Sequence, residues 1–481
     1  MASIANTLAV LALAGAGIVP VACARRAPAP MTDAAPAVVT VARSGPADFQ
    51  SIQEAVDHAP AGAIVRVGPG RWVETVLITR PITLEGSGCE HTSLAPPGAR
   101  RAALERATQR AERRLHDART PEARNRARLA MLSEEFRPAL LVKDAAGVTL
   151  RGLRISQLPP DRAEHPLGPC ALGIVNSAVV VEDCVVCGST RDGVAVLGAC
   201  DVVFRRCLAA GAWGAGVSVM GLTGVGTPIR VLIEDCEVRN NYQTNVLLRQ
   251  TGTGVAIEHC RVSGSAGPGI RCQEGSSPSI TRSTVFGNGQ AGLWIGPGPT
   301  AAIVRHNLIY ANSGPGLSLE PGGDDLLERN TIAFNGKAGL ARRGDAPLRL
   351  SHNIFYRNAA GLDWNGTLMP DAAALERPGL IPEMNLWVER RAATGVEPSD
   401  SSGVTAGAGV EPPFANPAAG DLRLPEGWCA PFGEAGAAGF PDLQSPRPLQ
   451  PEELAILPPA HTRGAAYWTP PAQAWSVHAN D

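Results

Sequence analysis

One short pattern returns at a nearly constant interval through the middle of this 481-residue chain, and it limits the possible folds more than any other feature. The unit reads V-x-[VIL]-x-x-[CSN], with G-[VIL] following nine residues later. It occurs as VVVEDC (179–184), VVFRRC (202–207), VLIEDC (231–236) and VAIEHC (255–260), then as PSITRS (278–283), AIVRHN (302–307), DLLERN (325–330) and LRLSHN (348–353). The sixth positions are Cys184, Cys207, Cys236, Cys260, Ser283, Asn307, Asn330 and Asn353, spaced by 23, 29, 24, 23, 24, 23 and 23 residues. A second column runs Gly193, Gly216, Asn245, Gly269, Gly292, Gly316, Gly339 and Gly361, nine residues after the first except for the last, at eight.

A unit this small buries its aliphatic positions only by stacking on its neighbours. The expected solution is a coil whose strands pair in parallel with their equivalents one turn away, about 4.8 Å along the axis. The sixth positions then stack at an inward-turning corner, where Asn amides can bond one another and the backbone. The glycines supply either φ > 0 or a close approach. The fifth positions, Asp183, Arg206, Asp235, His259, Arg282, His306, Arg329 and His352, stack charges of alternating sign that would pair along the axis.

Composition agrees with a turn-rich β protein. Gly (53) and Pro (41) approach a fifth of the chain, which argues against a helical bundle, and aromatics at 4% leave an aliphatic core. A net charge of -2 gives no general electrostatic reason to bind nucleic acid. Residues 8–23 form an apolar run too short to span a bilayer, so no transmembrane span is expected. The run reads as a secretory signal peptide (1–23), with a lipoprotein site at Cys23 as a variant and Met31 as an alternative start. The expected location is extracytoplasmic: periplasmic, cell-surface or secreted.

On these repeats the chain resembles the right-handed parallel β-helix family, the fold of pectin lyases and related carbohydrate-active proteins. The opening segment TVARSGPADFQSIQEAVDHAPAGAIVRVGPGRWVETVLITRPITLEGSG (40–88) is similar to the first coils of pectinesterase-type members. There Asp48-Phe49-Gln50 would open a helix whose Ile52, Ala55 and Val56 plug the end of the solenoid. The resemblance implies an all-β fold, a single-stranded right-handed parallel β-helix solenoid with an N-terminal capping helix and an inserted helical hairpin. It does not bring an active site with it, because the family's Gln-Asp, Asn-Thr-Asp, Gly-His-Gly and Asp-Pro-His-Asp signatures are missing.

The organisation expected is a linker (24–36), cap and first coils (37–97), an inserted hairpin (98–137), β-helix repeats (138–365), irregular C-terminal coils (366–440) and a Pro-rich tail (441–481). ITLEGS (82–87) and VTLRGL (148–153) are repeat starts 66 residues apart, and removing 98–137 leaves 26, about one coil. That insertion carries eleven Arg against six acidic residues, with Pro121 dividing it. It is either a solvated helical decoration or a lid or docking arm for an anionic partner, which could be a protein. Two loops, 157–169 and 220–230, lengthen other coils near the glycine strand.

Eleven cysteines in an exported chain would ordinarily mean disulfides, yet four stand in the inward column. They read as buried reduced thiols, with a Cys184–Cys207 bridge as the alternative. Neither Cys184-Val185-Val186-Cys187 nor the scattered histidines has metal-site spacing, so no metal site is assigned.

Candidate chemistry lies on the glycine strand, where side chains two and four after the column point outward. One row is Ala195, Ser218, Leu247, Arg271, Trp294, Ser318, Ala341 and Asp363; the other is Leu197, Met220, Arg249, Gln273, Gly296, Glu320, Arg343 and Asn365. Arg249, Arg271, Glu320 and Asp363 are the catalytic candidates, and Trp294, Gln273 and Arg343 the substrate-binding ones. Trp294 could stack on a sugar while arginines pair with uronate carboxylates. No cofactor is required, although the carboxylates could hold Ca²⁺. The function expected is binding of an acidic polysaccharide, with cleavage or epimerisation by a lyase, epimerase or hydrolase if the protein is an enzyme. The alternatives are a non-catalytic structural or adhesion module and an accessory protein of metalloenzyme maturation.

Overall fold

The computed structural model describes residues 35–97, 110, 113–114, 116–130, 138–157, 170–222, 229–345, 348–369, 380–383 and 386–388. From Val38 onward the chain passes in turn through three sheets: sheet 1 with 13 strands, then sheets 2 and 3 with 12 each. One coil consists of Ala178–Glu182, Val185–Ser189 and Asp192–Leu197; the next of Asp201–Arg205, Leu208–Ala212 and Ala215–Met220. Strands pair in parallel with their counterparts one coil away, and the repeat's spacing sets the register: Val181, Phe204, Ile233, Ile257, Ile280, Val304, Leu327 and Leu350 form one inward row. The fold is the right-handed parallel β-helix expected from the repeat. An antiparallel strand, Thr367–Met369, lies against Ala360–Trp364 at the far edge of sheet 3.

The open end is plugged as expected, with Ile52, Ala55 and Val56 of helix α1 (Ile52–His58) buried. The helix starts later than Asp48-Phe49-Gln50, however. Asp48 instead accepts from Thr40 N–H at 2.8 Å, while Ser51 is the N-cap and the Glu74 carboxylate accepts from Ile52 N–H and Gln53 N–H. A carboxylate at a helix N-terminus both satisfies free amides and meets the positive end of the dipole.

Thr83 and Leu84 pair with Thr149 and Leu150 of the neighbouring coil, so the expected insertion falls within a single coil. It leaves sheet 2 after Thr92–Ala95 and returns at Leu140–Lys143 on sheet 3. Its described part contains helix α2 (Pro121–Ala130), begun by Thr120, whose hydroxyl accepts from Ala123 N–H, with Pro121 at the first helical position. The rest of the expected hairpin, the expected signal peptide and most of the linker, residues 158–169 and 223–228, and the segment 389–481 lie outside the described residues.

Two interior ladders fix the corners. At the sheet 1–sheet 2 corner, Ser283 N–H donates to Asn307 Oδ1, Asn307 N–H and Nδ2 to Asn330 Oδ1, and Asn330 N–H and Nδ2 to Asn353 Oδ1, all at 2.9–3.0 Å. In earlier coils thiols fill the same place; Cys207 N–H reaches Cys236 Sγ at 3.4 Å. Cys184, Cys207, Cys236 and Cys260 are free thiols, and burial pushes the Cys184 thiol far up. The second ladder, absent from the sequence reading, stands five residues later at the sheet 2–sheet 3 corner: Asn241, Asn288, Asn312, Asn335 and Asn358, with Ser265 between the first two.

This second ladder explains the glycine column. Those glycines do not have positive φ. A Cβ on Gly292 would stand 2.8 Å from Asn312 Nδ2 and from Gly316 O, and one on Gly269 would stand 2.7 Å from Asn288 Nδ2 and Gly292 O. Asn245, the exception in the column, accepts from Asn241 Nδ2 and donates to Asn288 Oδ1, spanning the coil in which Ser265 is too short to continue the amide chain.

A buried ion pair also sits inside the solenoid. Arg342 and Asp325, both fully buried, lie 3.9 Å apart, and Asp325 also accepts from Ala302 N–H and the Thr300 hydroxyl. Burial raises the Asp325 carboxyl and lowers the Arg342 guanidinium; Ala302 N–H, the Thr300 hydroxyl and Arg342 oppose the first shift, and Asp325 and Asp345 the second.

Two substitutions test these interiors. Asn330→Ala strands donors and acceptors in three coils and should lower unfolding free energy by about 2–4 kcal/mol in denaturant titrations. Asp325→Leu alone should cost about 3–5 kcal/mol, and adding Arg342→Leu should recover most of that loss. A double variant no more stable than the single would refute the pairing.

Candidate functional site

Sheet 3 puts the expected outward rows in register. Ser218 pairs with Leu247, Leu247 with Arg271, Arg271 with Trp294, Trp294 with Ser318, and Ala341 with Asp363; in the second row Met220 pairs with Arg249 and Arg249 with Gln273. Each strand offers alternate residues outward because Val246, Leu248, Ile270, Cys272, Leu293 and Ile295 between them are buried in the core.

The N-terminal part of this sheet is not an open bed. Leu141, Cys170, Val175 and Leu197 form a buried outer cluster, with Ala195, Met220 and Leu222 packed on it. The polar stretch begins at Ser218 and extends toward Asp363.

Within that stretch the candidates fall into two groups. Arg343 and Asp363 neutralise one another through a forked pair of 3.0 and 3.4 Å, and Asp363 also accepts from Gly366 N–H. Both Asp363 oxygens are therefore occupied, which removes it as a ready Ca²⁺ ligand or proton acceptor. Among the described residues no three His, Cys, Asp or Glu side chains gather as a metal cage, and these residues do not fit the expectation of Ca²⁺.

The second group is cationic. Arg249 donates from Nη2 to Gln273 Oε1 at 2.8 Å, and its Nε lies 3.4 Å from Glu274 Oε1. Arg271 sits over the Trp294 ring, 4.9 Å from its centroid. Among the described residues no carboxylate pairs with Arg271, and its buried Nε has no hydrogen-bond partner. Burial, with Arg249 beside it, lowers its affinity for its proton. Trp294 lies flat because the next outward position is Gly296, where a Cβ would stand 2.6 Å from the indole. Glu320 is half-buried on the coil after Gly296 and has no ion pair among the described residues.

The sequence reading missed Asp192, which stands at the edge of the same sheet. Its Oδ1 accepts from Ala215 N–H at 2.8 Å. Burial pushes its carboxyl up, against the pull of that bond, of Arg191 and Arg249, and of the Ser218 hydroxyl. The signal was available: the residue before each member of the glycine column is Asp192, Ala215, Thr244, Pro268, Ala291, Pro315, Ala338 and Ala360, and Asp192 alone is charged. A carboxyl near two guanidinium groups and raised by burial has the properties of a proton-transfer group.

Both the hairpin insertion and loop 158–169 enter sheet 3 from the sheet 2 side on successive coils, whereas 223–228 leaves it toward sheet 1. No helix among the described residues is long and apolar enough to cross a membrane.

Residues 170–325 match the family model described as "Right handed beta helix region". Solved structures of similar form include the A-module of mannuronan C-5 epimerase AlgE6 from Azotobacter vinelandii, at 14% identity over 71% of this chain and 94% of that one, TM-score 0.44. Pectate lyase Pel9A covers 78% and 82% at 10% identity, TM-score 0.34. Pectin methylesterase PemA from Erwinia chrysanthemi covers 74% and 90% at 13% identity, TM-score 0.29. At these scores the likeness carries no weight for the reaction, and no curated protein matches the sequence. What the match over residues 170–325 and the three stacked sheets establish together is the fold, a right-handed parallel β-helix.

Proposed function

We propose that the protein is extracytoplasmic and binds an acidic polysaccharide along the outer face of sheet 3, from Arg249 to Glu320. The observation that carries this reading is Arg271: a guanidinium with no carboxylate partner among the described residues, beside a second arginine and stacked on an indole. Such a cation is incomplete without an anion, and a uronate offers a planar carboxylate for the guanidinium fork together with a ring face for Trp294. Arg249 lies one coil and one row away and Gln273 two residues along the same strand, within reach of the next carboxylate or hydroxyl. The apolar run at 8–23 supports export.

If the bound polymer is also cleaved or epimerised, the cation beside the uronate carboxylate favours loss of the adjoining C5 proton. Glu320 within the strip and Asp192 on its N-terminal side are then the candidate carboxylates to accept it, since Asp363 is held by Arg343. Arg343 and Asp363 contribute a neutral, rigid end to the strip.

Titration calorimetry with polygalacturonate and with alginate tests this. Arg271→Ala and Trp294→Ala should each weaken binding by about tenfold or more, while Arg343→Ala should have less effect. Binding that is indifferent to both Arg271 and Trp294, or absent for every polyuronate, would overturn the reading. Appearance of unsaturated product absorbance, lost in Asp192→Asn or Glu320→Gln, would identify the proton acceptor.

A further inference from the structure

The corner between sheets 1 and 2 carries a second row of side chains that the face described above leaves unused. Asp183, Arg206, Asp235, His259, Arg282, His306, Arg329 and His352 all adopt left-handed backbone, with φ between 48 and 56°. From Asp183 to Arg329 each N–H donates to the residue before its equivalent in the next coil, as Arg282 N–H does to Arg305 O and His306 N–H to Glu328 O. The eight side chains therefore rise in single file at the strand spacing, about 4.8 Å per coil.

The expected alternation of charge holds only in the first three coils. There Arg206 is clamped on Asp183 by two bonds of 2.8 and 2.9 Å, with Asp235 on its other side. From His259 onward every member is basic: His259, Arg282, His306, Arg329 and His352. The flanking strands do not neutralise them. Glu328 reaches Arg329 at 3.8 Å but is taken by Arg305 at 2.8 Å, and Arg261 on the sheet 2 side adds another cation, lying over Phe286. The remaining titratable neighbours are two carboxylates at the start of the row: Glu258, beside His259, and Asp235, one coil before it. Among the described residues Arg282 is exposed and has no carboxylate, and His352 Nδ1 has no hydrogen-bond partner.

We propose that this corner, from His259 to His352, is a second anion-binding strip that takes a linear polyuronate lying along the solenoid axis, one carboxylate to each coil. Like charges directly opposite on neighbouring strands destabilise a sheet, and here an external anion is what would compensate them. The partner is identified by its charge spacing. A polyuronate has one carboxylate per sugar, a repeat close to the strand spacing, whereas duplex DNA presents a charge every ~1.7 Å of axis, far denser than this row. The strip shares a ligand class with sheet 3 but no residue, so either can fail alone.

His306 makes the strip pH-dependent. At neutral pH the row offers the charges of Arg282 and Arg329, and protonation of His306 on acidification adds to them. Burial, then Arg329 and Arg282, lowers His306 below its ordinary 6.5. With the folded value below the unfolded one, the His306 contribution to stability is present above 6.5 and is lost as pH falls through the folded value. An anion seated on the row removes that penalty.

The test uses the full chain carrying Arg271→Ala, so that sheet 3 is weakened, with oligogalacturonate as the probe at pH 5.5 and pH 7.5. Binding should be tighter at pH 5.5, and Arg282→Gln with Arg329→Gln should weaken it there by about fivefold or more. His306→Gln should flatten the pH dependence while leaving binding at pH 7.5 unchanged. Circular dichroism melts report whether each variant is folded, and Arg206→Gln, on the compensated part of the row, serves as the surface control. Binding at pH 5.5 unchanged by the double substitution, or equally reduced by Arg206→Gln, would overturn the proposal. Preferential capture of single-stranded DNA over oligogalacturonate would overturn the choice of polyuronate.

Discussion

Buried backbone groups at the corners of a stacked coil must find partners inside the solenoid, and the side-chain ladders meet that demand. A parallel strand satisfies its own amides through its neighbours, but the chain turns away from each sheet every few residues. Asn side chains close the gap because one amide both accepts and donates, so Asn307, Asn330 and Asn353 hand a hydrogen bond from coil to coil. The same requirement explains why glycine faces Asn312 and Asn335, and why Asn245 replaces glycine where Ser265 interrupts the second ladder. Nearly all else follows from this spacing, including which residues share an outer face.

That geometry converts columns in the sequence into rows on the surface, where the decisive question is which charges are already paired. On sheet 1, Glu85 sits between Arg66 and Arg151, and Arg205 between Glu182 and Glu234, so those rows are closed to ligands. On sheet 3, Arg343 with Asp363 is closed in the same way, while Arg271 is not. At the sheet 1–sheet 2 corner the row changes from compensated to uncompensated at His259. Unpaired cations on a scaffold otherwise rich in ion pairs are the features that point to a ligand.

The fold was largely legible because it is a property of spacing: the 23-residue interval fixes the coil length, and the Cys/Ser/Asn column marks a corner. The rows on sheet 3 could be listed from the same interval, and Leu247, Arg271 and Trp294 do pair across coils. What spacing could not give was the state of each side chain. Nothing in the sequence distinguishes Arg343, tied to Asp363, from Arg271, which rests on Trp294. Nor does it show that Leu197 and Met220 are packed in an apolar cluster, since outward rows of a solenoid read alike until something lies against them. The second ladder was readable five residues after the first but was hidden by Ser189, Ala212 and Ser265 standing among the asparagines. The left-handed fifth position was obscured because Asp, Arg and His fill it in place of glycine.

The account rests on consecutive repeat units lying one strand spacing apart along a common axis. Nitroxides placed at 206 and 329 through a ketone-bearing side chain, leaving the thiols untouched, give that distance by double electron–electron resonance. Five coil steps predict a distribution centred at about 24 Å. A centre beyond about twice that value would mean the units do not stack, and both binding strips would lose their basis.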